Sequence, residues 1–549
     1  MLRRAWKPIV GTTVLVGAPT YVYYRYYTKP TRETFTIPVK AAGPDGKRQV
    51  VTHTLPLLTK DEVDARLREH ASTHSVMRHG GIVWKSATAY LSSNDPIEDA
   101  NNSLLIERDA SDTAPPGDYL FFAVMDGHAG PHTSRVLADI LIPTVAMELA
   151  QRINDPKTGL SDAGLMQKVK SLLWRPSPSS TPYDSNPANV ARAIEAAFTK
   201  LDEQIVNAPL EILYHSVDSE ALKKKLIPDL SGHPLAGSSM RTALSGSCAL
   251  LAMLDTSNRN MYVACTGDSR AVAGVYEETE DGKGVWRVEV LTEDQTGRNP
   301  NELKRLQSEH PADEADVVVR NGRILGGLEP SRAFGDARYK WPREVQEVLN
   351  KAFMEPKGEA MRPPPPALKT PPYVIATPVV THRPLSFLPL PDSATAKPKA
   401  ALRFLVLATD GLWDELSNEE VVALVGGHLS GLRGTIPKAD LPTLVPTSVG
   451  AAGVEGKNKE YQQQHKKQGA WAFEDDNVGA HLIRNALGGG DVMQLRKLAS
   501  IPAPYSRRFR DDITVTVVWW EDGREAQAER VSIPVAERTD GQEQAKAKL

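Results

Sequence analysis

The chain has 549 residues, of which 41% are hydrophobic and 24% charged, and its formal net charge is -3 at pH 7. This near-neutral balance gives no reason to expect nucleic-acid binding, which needs a concentrated basic face. The two cysteines, Cys248 and Cys265, lie in apolar runs, so we expect small core residues rather than a disulfide or a zinc site.

The N-terminal segment, residues 1–33, is basic and contains no acidic residue before Glu33. Residues 8–24 form an uncharged, largely apolar run that is only just long enough to span a bilayer. An aromatic belt lies at its C-terminal end, formed by Tyr21, Tyr23, Tyr24, Tyr26 and Tyr27. We interpret the segment as a mitochondrial targeting sequence with a single transmembrane anchor. A secretory signal is disfavoured by the cysteine-poor body of the chain, and a plain disordered segment or cytosolic anchor remains an alternative.

The first predicted elements are strand and turn material over 34–51, a helix over 59–70, and strands over 81–91 and 104–106. A buried strand over 121–125 then ends at Asp126-Gly127-His128, before a helix that Pro131 opens. A carboxylate and an imidazole at the end of a buried strand fit either a helix-capping turn or a functional site. This stretch alone leaves the two interpretations open.

The second half of the chain is rich in short apolar strands. They are predicted over 244–255, 261–266, 271–276, 285–291, 401–408 and 513–520, with helices over 191–206 and 417–425. Tight turns between short strands favour antiparallel sheets over a βαβ repeat. We assign residues 34–525 to one domain with insertions near 157–188, 342–372 and 426–500.

The C-terminal tail, residues 526–549, is polar and ends in Ala547-Lys548-Leu549. This tripeptide differs at one position from the peroxisomal address Ser-Lys-Leu. The tail is therefore either an address that a peroxisomal import receptor reads, which would give dual targeting, or a charged tail that ends this way by chance.

Carboxylates recur at the ends of the predicted strands. They are Asp126, Asp268, Asp410 and Asp511, joined by the adjacent pair Glu98 and Asp99. Brought together in one fold, these groups would repel each other unless a cation held them. Oxygen ligands without cysteine favour Mg²⁺ or Mn²⁺, and two such ions can lower the pKa of a water and bind a phosphoryl group. His128 is then placed to protonate a leaving oxygen.

Six motifs in order resemble those of the metal-dependent (type 2C) protein serine/threonine phosphatases. They are FAVMDGHAG from 122, GSCA from 246, GDSRA from 267, SRAFGD from 331, ATDGLWD from 408 and RDDITV from 510. The resemblance extends from about residue 81 to 520. PIED from 96 and the segment 332–341 are similar to the pyruvate dehydrogenase phosphatase branch, and the two chain ends resemble its fungal mitochondrial members.

The resemblance implies an α+β fold, in which two packed antiparallel β-sheets are flanked by helices in an α-β-β-α sandwich with a binuclear metal site at one edge. It also implies a water, activated by two Mg²⁺ or Mn²⁺ ions, that attacks phosphoserine or phosphothreonine. The implied roles are Asp126 as the bridging ligand, Gly127 as a carbonyl ligand, Asp410 and Asp511 on one ion, Glu98 and Asp99 on the other through water, Asp268 and Asp414 at a third site, and His128 as the acid.

Three points complicate this assignment. Many family members carry a phosphate-gripping arginine four residues before the glutamate of the acidic pair, where this chain has Asn94. Arg332 lies in a segment that forms a flap near the site in relatives, so it is either a substrate contact or a structural salt bridge. Asp512 adjoins Asp511, and the choice between them as a ligand rests on motif alignment.

The implied activity has alternatives. A catalytically inactive binding module of the same fold would be expected to lack metal carboxylates, and none is missing here. Hydrolysis of small phosphorylated metabolites remains open, because selectivity lies in loops around the site. The implied partner is a phosphoprotein, in this branch the E1 subunit of pyruvate dehydrogenase, which an enzyme anchored in the inner membrane could not reach if it faced the intermembrane space.

Overall fold

The computed structural model describes residues 32–42, 48–78, 81–108, 116–154, 183–217, 226–278, 284–385, 400–449 and 469–522. The predicted targeting segment up to residue 31, the insertion at 157–188 up to residue 182, and the C-terminal tail lie outside these residues. Among the helices described, none has the length and apolar character needed to cross a membrane.

The strands, in chain order, are β1 (Thr34–Ala42), β2 (Arg48–Pro56), β3 (Ala71–Met77), β4 (Ile82–Leu91), β5 (Ala100–Arg108), β6 (Gly117–His128), β7 (Gly246–Asp255), β8 (Asn260–Thr266), β9 (Arg270–Glu278), β10 (Gly284–Val290), β11 (Val319–Arg320), β12 (Arg323–Ile324), β13 (Phe334–Gly335), β14 (Val379–Pro384), β15 (Ala400–Ala408), β16 (Gly434–Pro437), β17 (Thr447–Val449), β18 (Ala470–Phe473) and β19 (Ile513–Asp522).

The α-helices are α1 (Lys60–Glu69), α2 (His132–Asn154), α3 (Pro187–Ser216), α4 (Ala236–Leu244), α5 (Pro300–Glu309), α6 (Arg343–Leu349), α7 (Asp410–Trp413), α8 (Asn418–Leu429), α9 (Leu441–Leu444), α10 (Val478–Ala486) and α11 (Val492–Ser500). Short 3₁₀ turns include Ala337–Tyr339 and Ser506–Arg508.

Two large sheets form the centre of the molecule. One has seven strands in the order β17-β10-β9-β15-β19-β4-β3, and the other has the order β14-β8-β7-β6-β5 with β13 paired to β7. Within both sheets the pairing is antiparallel except between β10 and β17, which run parallel.

The strand β6 shows how the sheets are layered. Side chains alternate across a strand, so Leu120, Phe122 and Val124 lie in the apolar cluster that both sheets share. Phe121 and Met125, on the opposite face, lie in a second cluster with helices α2 and α3. A strand that is buried on both faces has a continuous apolar sequence, which is the pattern that residues 121–125 present.

The other face of the seven-stranded sheet is covered by α1, α8, α10 and α11, whose apolar side chains join a third cluster with β4, β15 and β19. The layers therefore run helices, sheet, sheet, helices. This confirms the predicted α+β sandwich. A capping box between Ser417 and Glu420 is present at the start of α8.

Within residues 426–500, the parts that the structure describes are 426–449 and 469–500, and they pack more extensively than their polar sequence suggests. The short strand β17 joins the seven-stranded sheet, and Trp471 and Phe473 of β18 are buried in the cluster with α8. Helix α10 is buried along its whole length. The part of this segment that the structure describes therefore belongs to the core of the domain.

Candidate active site

Three aspartates converge where strands of both sheets end. Asp126 lies near the end of β6, Asp268 in the turn between β8 and β9, and Asp410 directly after β15. One carboxylate oxygen of each lies within 4.8 Å of the others. The backbone N–H of Asp410 also donates to the Asp126 carboxylate over 3.4 Å. The two sheets thus bring together side chains that are far apart in sequence.

The electrostatics of this cluster are unfavourable without a cation. Burial raises the pKa of Asp126 well above its usual value, and the carboxylates of Asp410, Asp99 and Asp268 raise it further. Burial likewise raises the pKa of Asp99, and Asp512 adds to the rise. Three converging carboxylates with oxygen donors alone suit a hard divalent cation such as Mg²⁺ or Mn²⁺.

The acidic pair Glu98 and Asp99 lies beside the cluster. Asp99 is buried and accepts a hydrogen bond from the Thr409 hydroxyl over 2.8 Å. Glu98 accepts hydrogen bonds from the Gly130 N–H over 2.6 Å and from the Asn94 amide over 3.2 Å. These contacts join the turn that precedes β5 to the turn that follows β6.

Gly127 has no room for a side chain. A Cβ at this position would lie 2.1 Å from the Glu98 carbonyl oxygen and 2.7 Å from the Ser134 hydroxyl. The Ser134 hydroxyl itself donates to that carbonyl oxygen. The backbone after Asp126 therefore packs directly against the turn that carries the acidic pair.

Asp511 and Asp512 differ sharply in their surroundings. Asp512 is 2% exposed, and its carboxylate accepts the backbone N–H groups of Ser93 and Glu98 over 2.5 and 2.9 Å. The side chain of Asp511 is 22% exposed and forms an ion pair with Arg507. Asp512 therefore shapes the turn before Glu98, whereas Asp511 faces Arg507, and the choice of Asp511 as a ligand stays a prediction.

His128 is paired with a residue to which the sequence assigned no role. Its Nε2 lies 2.6 Å from a carboxylate oxygen of Asp336, which is buried. Burial alone would lower the pKa of His128, but the charge and hydrogen bond of Asp336 raise it overall. A Cβ on Gly246 would lie 2.1 Å from Nε2, so the backbone of β7 packs closely against the pair.

Other predicted residues have different surroundings. Cys248 and Cys265 are free and buried, as expected for core residues, and the Cys248 thiol donates to Asp268 over 3.1 Å. Asp414 lies at the end of α7, one turn after Asp410.

Arg332 is held away from solvent by protein partners. Its guanidinium donates to Glu302 over 2.7 Å and to the Thr377 carbonyl oxygen over 2.8 Å. Burial tends to raise the pKa of Glu302, but Arg332 and Arg305 outweigh burial and lower this pKa to about 2. These contacts favour the salt-bridge interpretation of Arg332 over a substrate contact.

Comparison with known proteins agrees with the geometry. The family model described as "Protein phosphatase 2C" matches residues 192–434. A protein phosphatase 2C homolog of Schizosaccharomyces pombe is 35% identical over 86% of this chain and 88% of its own length. The chain belongs to the protein phosphatase 2C family. It is thus a metal-dependent protein serine/threonine phosphatase, as the motifs implied.

Other family members similar to this phosphatase carry a more specific name. Mitochondrial pyruvate dehydrogenase (acetyl-transferring) phosphatase 1 of Saccharomyces cerevisiae is 34% identical over 85% of this chain and 73% of its own. The rat protein of the same name is 30% identical over 92% and 91%. A solved structure of serine-threonine phosphatase 2C from Toxoplasma gondii aligns with 89% of this chain and 100% of its own at 15% identity, with a TM-score of 0.35.

Proposed function

We propose that this phosphatase acts on mitochondrial phosphoproteins, with the E1 subunit of pyruvate dehydrogenase as the first candidate substrate. The support for the substrate comes from the relatives named as mitochondrial pyruvate dehydrogenase phosphatases. The observation that supports the chemistry is the convergence of Asp126, Asp268 and Asp410 where strands of both sheets end.

The proposed metal ligands follow the family motifs. Asp126 would bridge two ions and Gly127 would offer its carbonyl oxygen, with Asp410 and Asp511 on one ion. Glu98 and Asp99 would hold the other ion through water, and Asp268 with Asp414 would serve a third. When bound, the ions supply a water of lowered pKa as the nucleophile and neutralise charge on the phosphoryl oxygens.

Side chains of the protein supply the proton and position the acidic pair. His128 donates a proton to the serine or threonine oxygen as the bond to phosphorus breaks. Asp336, 2.6 Å from Nε2, favours the protonated imidazole, which is the form with a proton to give. Asp512 holds the backbone of the turn before Glu98 and so positions the acidic pair.

The proposed ligand set is tested by measuring phosphate release from a phosphothreonine peptide with Mn²⁺, with EDTA and in Asp126→Ala. Loss of the central carboxylate or of the metal should lower kcat/KM by roughly a thousandfold, since metal ions contribute several kcal/mol to such reactions. Asp61→Ala, at an exposed position of α1, is the matched control and should keep full activity. Equal activity of Asp126→Ala and Asp61→Ala would contradict the ligand assignment.

The substrate and compartment need a separate experiment. We expect the protein to release phosphate from phosphorylated E1 faster than from the generic peptide. Protease treatment of intact mitochondria and of swollen mitochondria locates the protein, and protection in both places it in the matrix. Digestion as soon as the outer membrane is opened would place it in the intermembrane space and exclude E1 as its substrate.

A further inference from the structure

The site has no arginine at the position where many relatives grip the phosphate. Asn94 occupies it, and its side-chain amide donates to Glu98 over 3.2 Å and to Asp512 over 3.0 Å. Asn94 brings no positive charge, and its side-chain amide is already hydrogen-bonded within the turn. A phosphomonoester is an anion that approaches a cluster of carboxylates, so a cation at the mouth of the site would assist its binding.

The 3₁₀ turn Ser506–Arg508 is attached to the same loop. The Ser506 hydroxyl donates to the carbonyl oxygen of Ser93, and the Ser93 hydroxyl donates to the carbonyl oxygen of Arg510 over 2.7 Å. Both serines are buried. These two hydrogen bonds hold the turn that carries Arg507 beside Ser93, the residue that precedes Asn94.

Arg507 lies at the mouth of this acidic site. Its guanidinium contacts the Asp511 carboxylate, and its side chain remains 46% exposed. Burial raises the pKa of Glu98, and the charge of Arg507 is among the influences that oppose this rise. The guanidinium therefore interacts electrostatically with two of the proposed metal-binding carboxylates, Asp511 and Glu98. It also remains accessible to a ligand.

Two other arginines, Arg510 and Arg332, are already committed to protein partners. Arg510 is buried, and it donates to the carbonyl oxygens of Ser92 and Leu498 over 2.6 and 3.3 Å. Arg332 is bound by Glu302. Of these three arginines, Arg507 is the one that is exposed and also contacts a carboxylate of the acidic site.

We propose that Arg507 is the phosphate-binding residue of this enzyme, supplying from the 506–508 turn the cation that relatives place at position 94. This inference rests on the proposed function. A guanidinium has five N–H donors in a planar fork, so its contact with Asp511 leaves donors that can bind two phosphoryl oxygens at once.

The test compares Arg507→Ala, Arg507→Lys and the matched control Arg508→Ala, a neighbouring exposed arginine on the same turn. Steady-state kinetics with a phosphothreonine peptide give KM and kcat, and inhibition by inorganic phosphate gives Ki. In Arg507→Ala we expect KM and the phosphate Ki to rise about tenfold or more, because charge-assisted hydrogen bonds are lost. Arg507→Lys should lie between this variant and the wild type, and Arg508→Ala should match the wild type.

A Mn²⁺ titration of the same variants separates phosphate binding from a simpler role. If Arg507 only neutralises Asp511, its removal would lower the Mn²⁺ concentration needed for activity and leave KM and Ki unchanged. That result, or equal values for Arg507→Ala and Arg508→Ala, would overturn the inference. A folded wild-type protein without metal-dependent activity would instead refute the proposed function itself.

Discussion

Asp336 is the residue at the site whose role the sequence did not suggest, although it ends the SRAFGD motif. It has a left-handed backbone conformation (φ 48°) and follows the two-residue strand β13. A two-residue strand is too short to show a hydrophobic period in the sequence. The partner of Asp336, His128, is 208 residues away. A strand-end search therefore finds Asp126 and Asp410 but misses Asp336, whose contact exists only after β13 pairs with β7.

The Asp336 contact gives a sharp test of the acid role. Asp336→Asn should lower kcat on phosphothreonine peptides by about tenfold or more, because His128 loses the charge that favours its protonated form. Hydrolysis of p-nitrophenyl phosphate should fall much less, since its leaving group departs without a proton. Initial rates on the two substrates measure the difference, and an equal loss on both would contradict the acid role of His128.

Asp511 and Asp512 are neighbouring residues that the sequence pattern alone cannot tell apart. Both follow the same predicted loop and precede the same strand, so spacing gives them equal claim to a ligand role. Their difference is tertiary, because Asp512 turns to the backbone N–H groups of the 93–98 turn. The resemblance chose Asp511, and its greater exposure supports that choice.

The central elements could be predicted because both faces of their strands are buried. β7, β8, β15 and β19 have continuous apolar runs and lie close to their predicted bounds, whereas β6 extends beyond the predicted 121–125 to Gly117 and His128. The cap of α8 also has a local signature, since Ser417 and Glu420 satisfy each other's backbone N–H groups. These features depend on neighbours in sequence or on burial alone, so the sequence shows them directly.

Elements that depend on tertiary packing could not be predicted from the sequence. α10 is buried along its whole length although His481, Arg484 and Asn485 form a polar stripe at helical spacing, and the Arg484 guanidinium is paired there with Asp475 and Asp64. α3 continues past Pro209 to Ser216, ten residues beyond the predicted end at Val206, where Leu210 and Leu213 pack against a cluster with α4 and α6. A proline usually predicts the end of a helix, and here packing outweighs that tendency.

For the molecule as a whole, the aspartate cluster should reduce stability when no cation is bound. Burial and three neighbouring carboxylates disfavour the ionised form of Asp126. Asp126→Asn should therefore raise the free energy of unfolding of the metal-free protein by about 1–3 kcal/mol. Added Mn²⁺ should stabilise the wild type by about 2.7 kcal/mol at a hundredfold excess over its Kd, and the variant far less.

Thermal or urea denaturation in EDTA and in Mn²⁺ measures both effects. An exposed substitution such as Asp61→Asn serves as the control for metal binding, and it should leave the response to Mn²⁺ unchanged. A metal-free Asp126→Asn protein that is less stable than the wild type would show that the carboxylate has a structural role which outweighs the repulsion.

The position of the three aspartates links distant packing to metal affinity. Asp126 belongs to one sheet, Asp410 follows a strand of the other, and Asp268 lies in the turn by which the chain passes between them. The spacing of their oxygens is therefore set by how the two sheets pack on each other. A change of side-chain volume between the sheets, for example at Val263 or Leu405, can alter ion binding without touching a ligand. The metal requirement of this enzyme should therefore depend on its apolar layer as well as on the residues of the site.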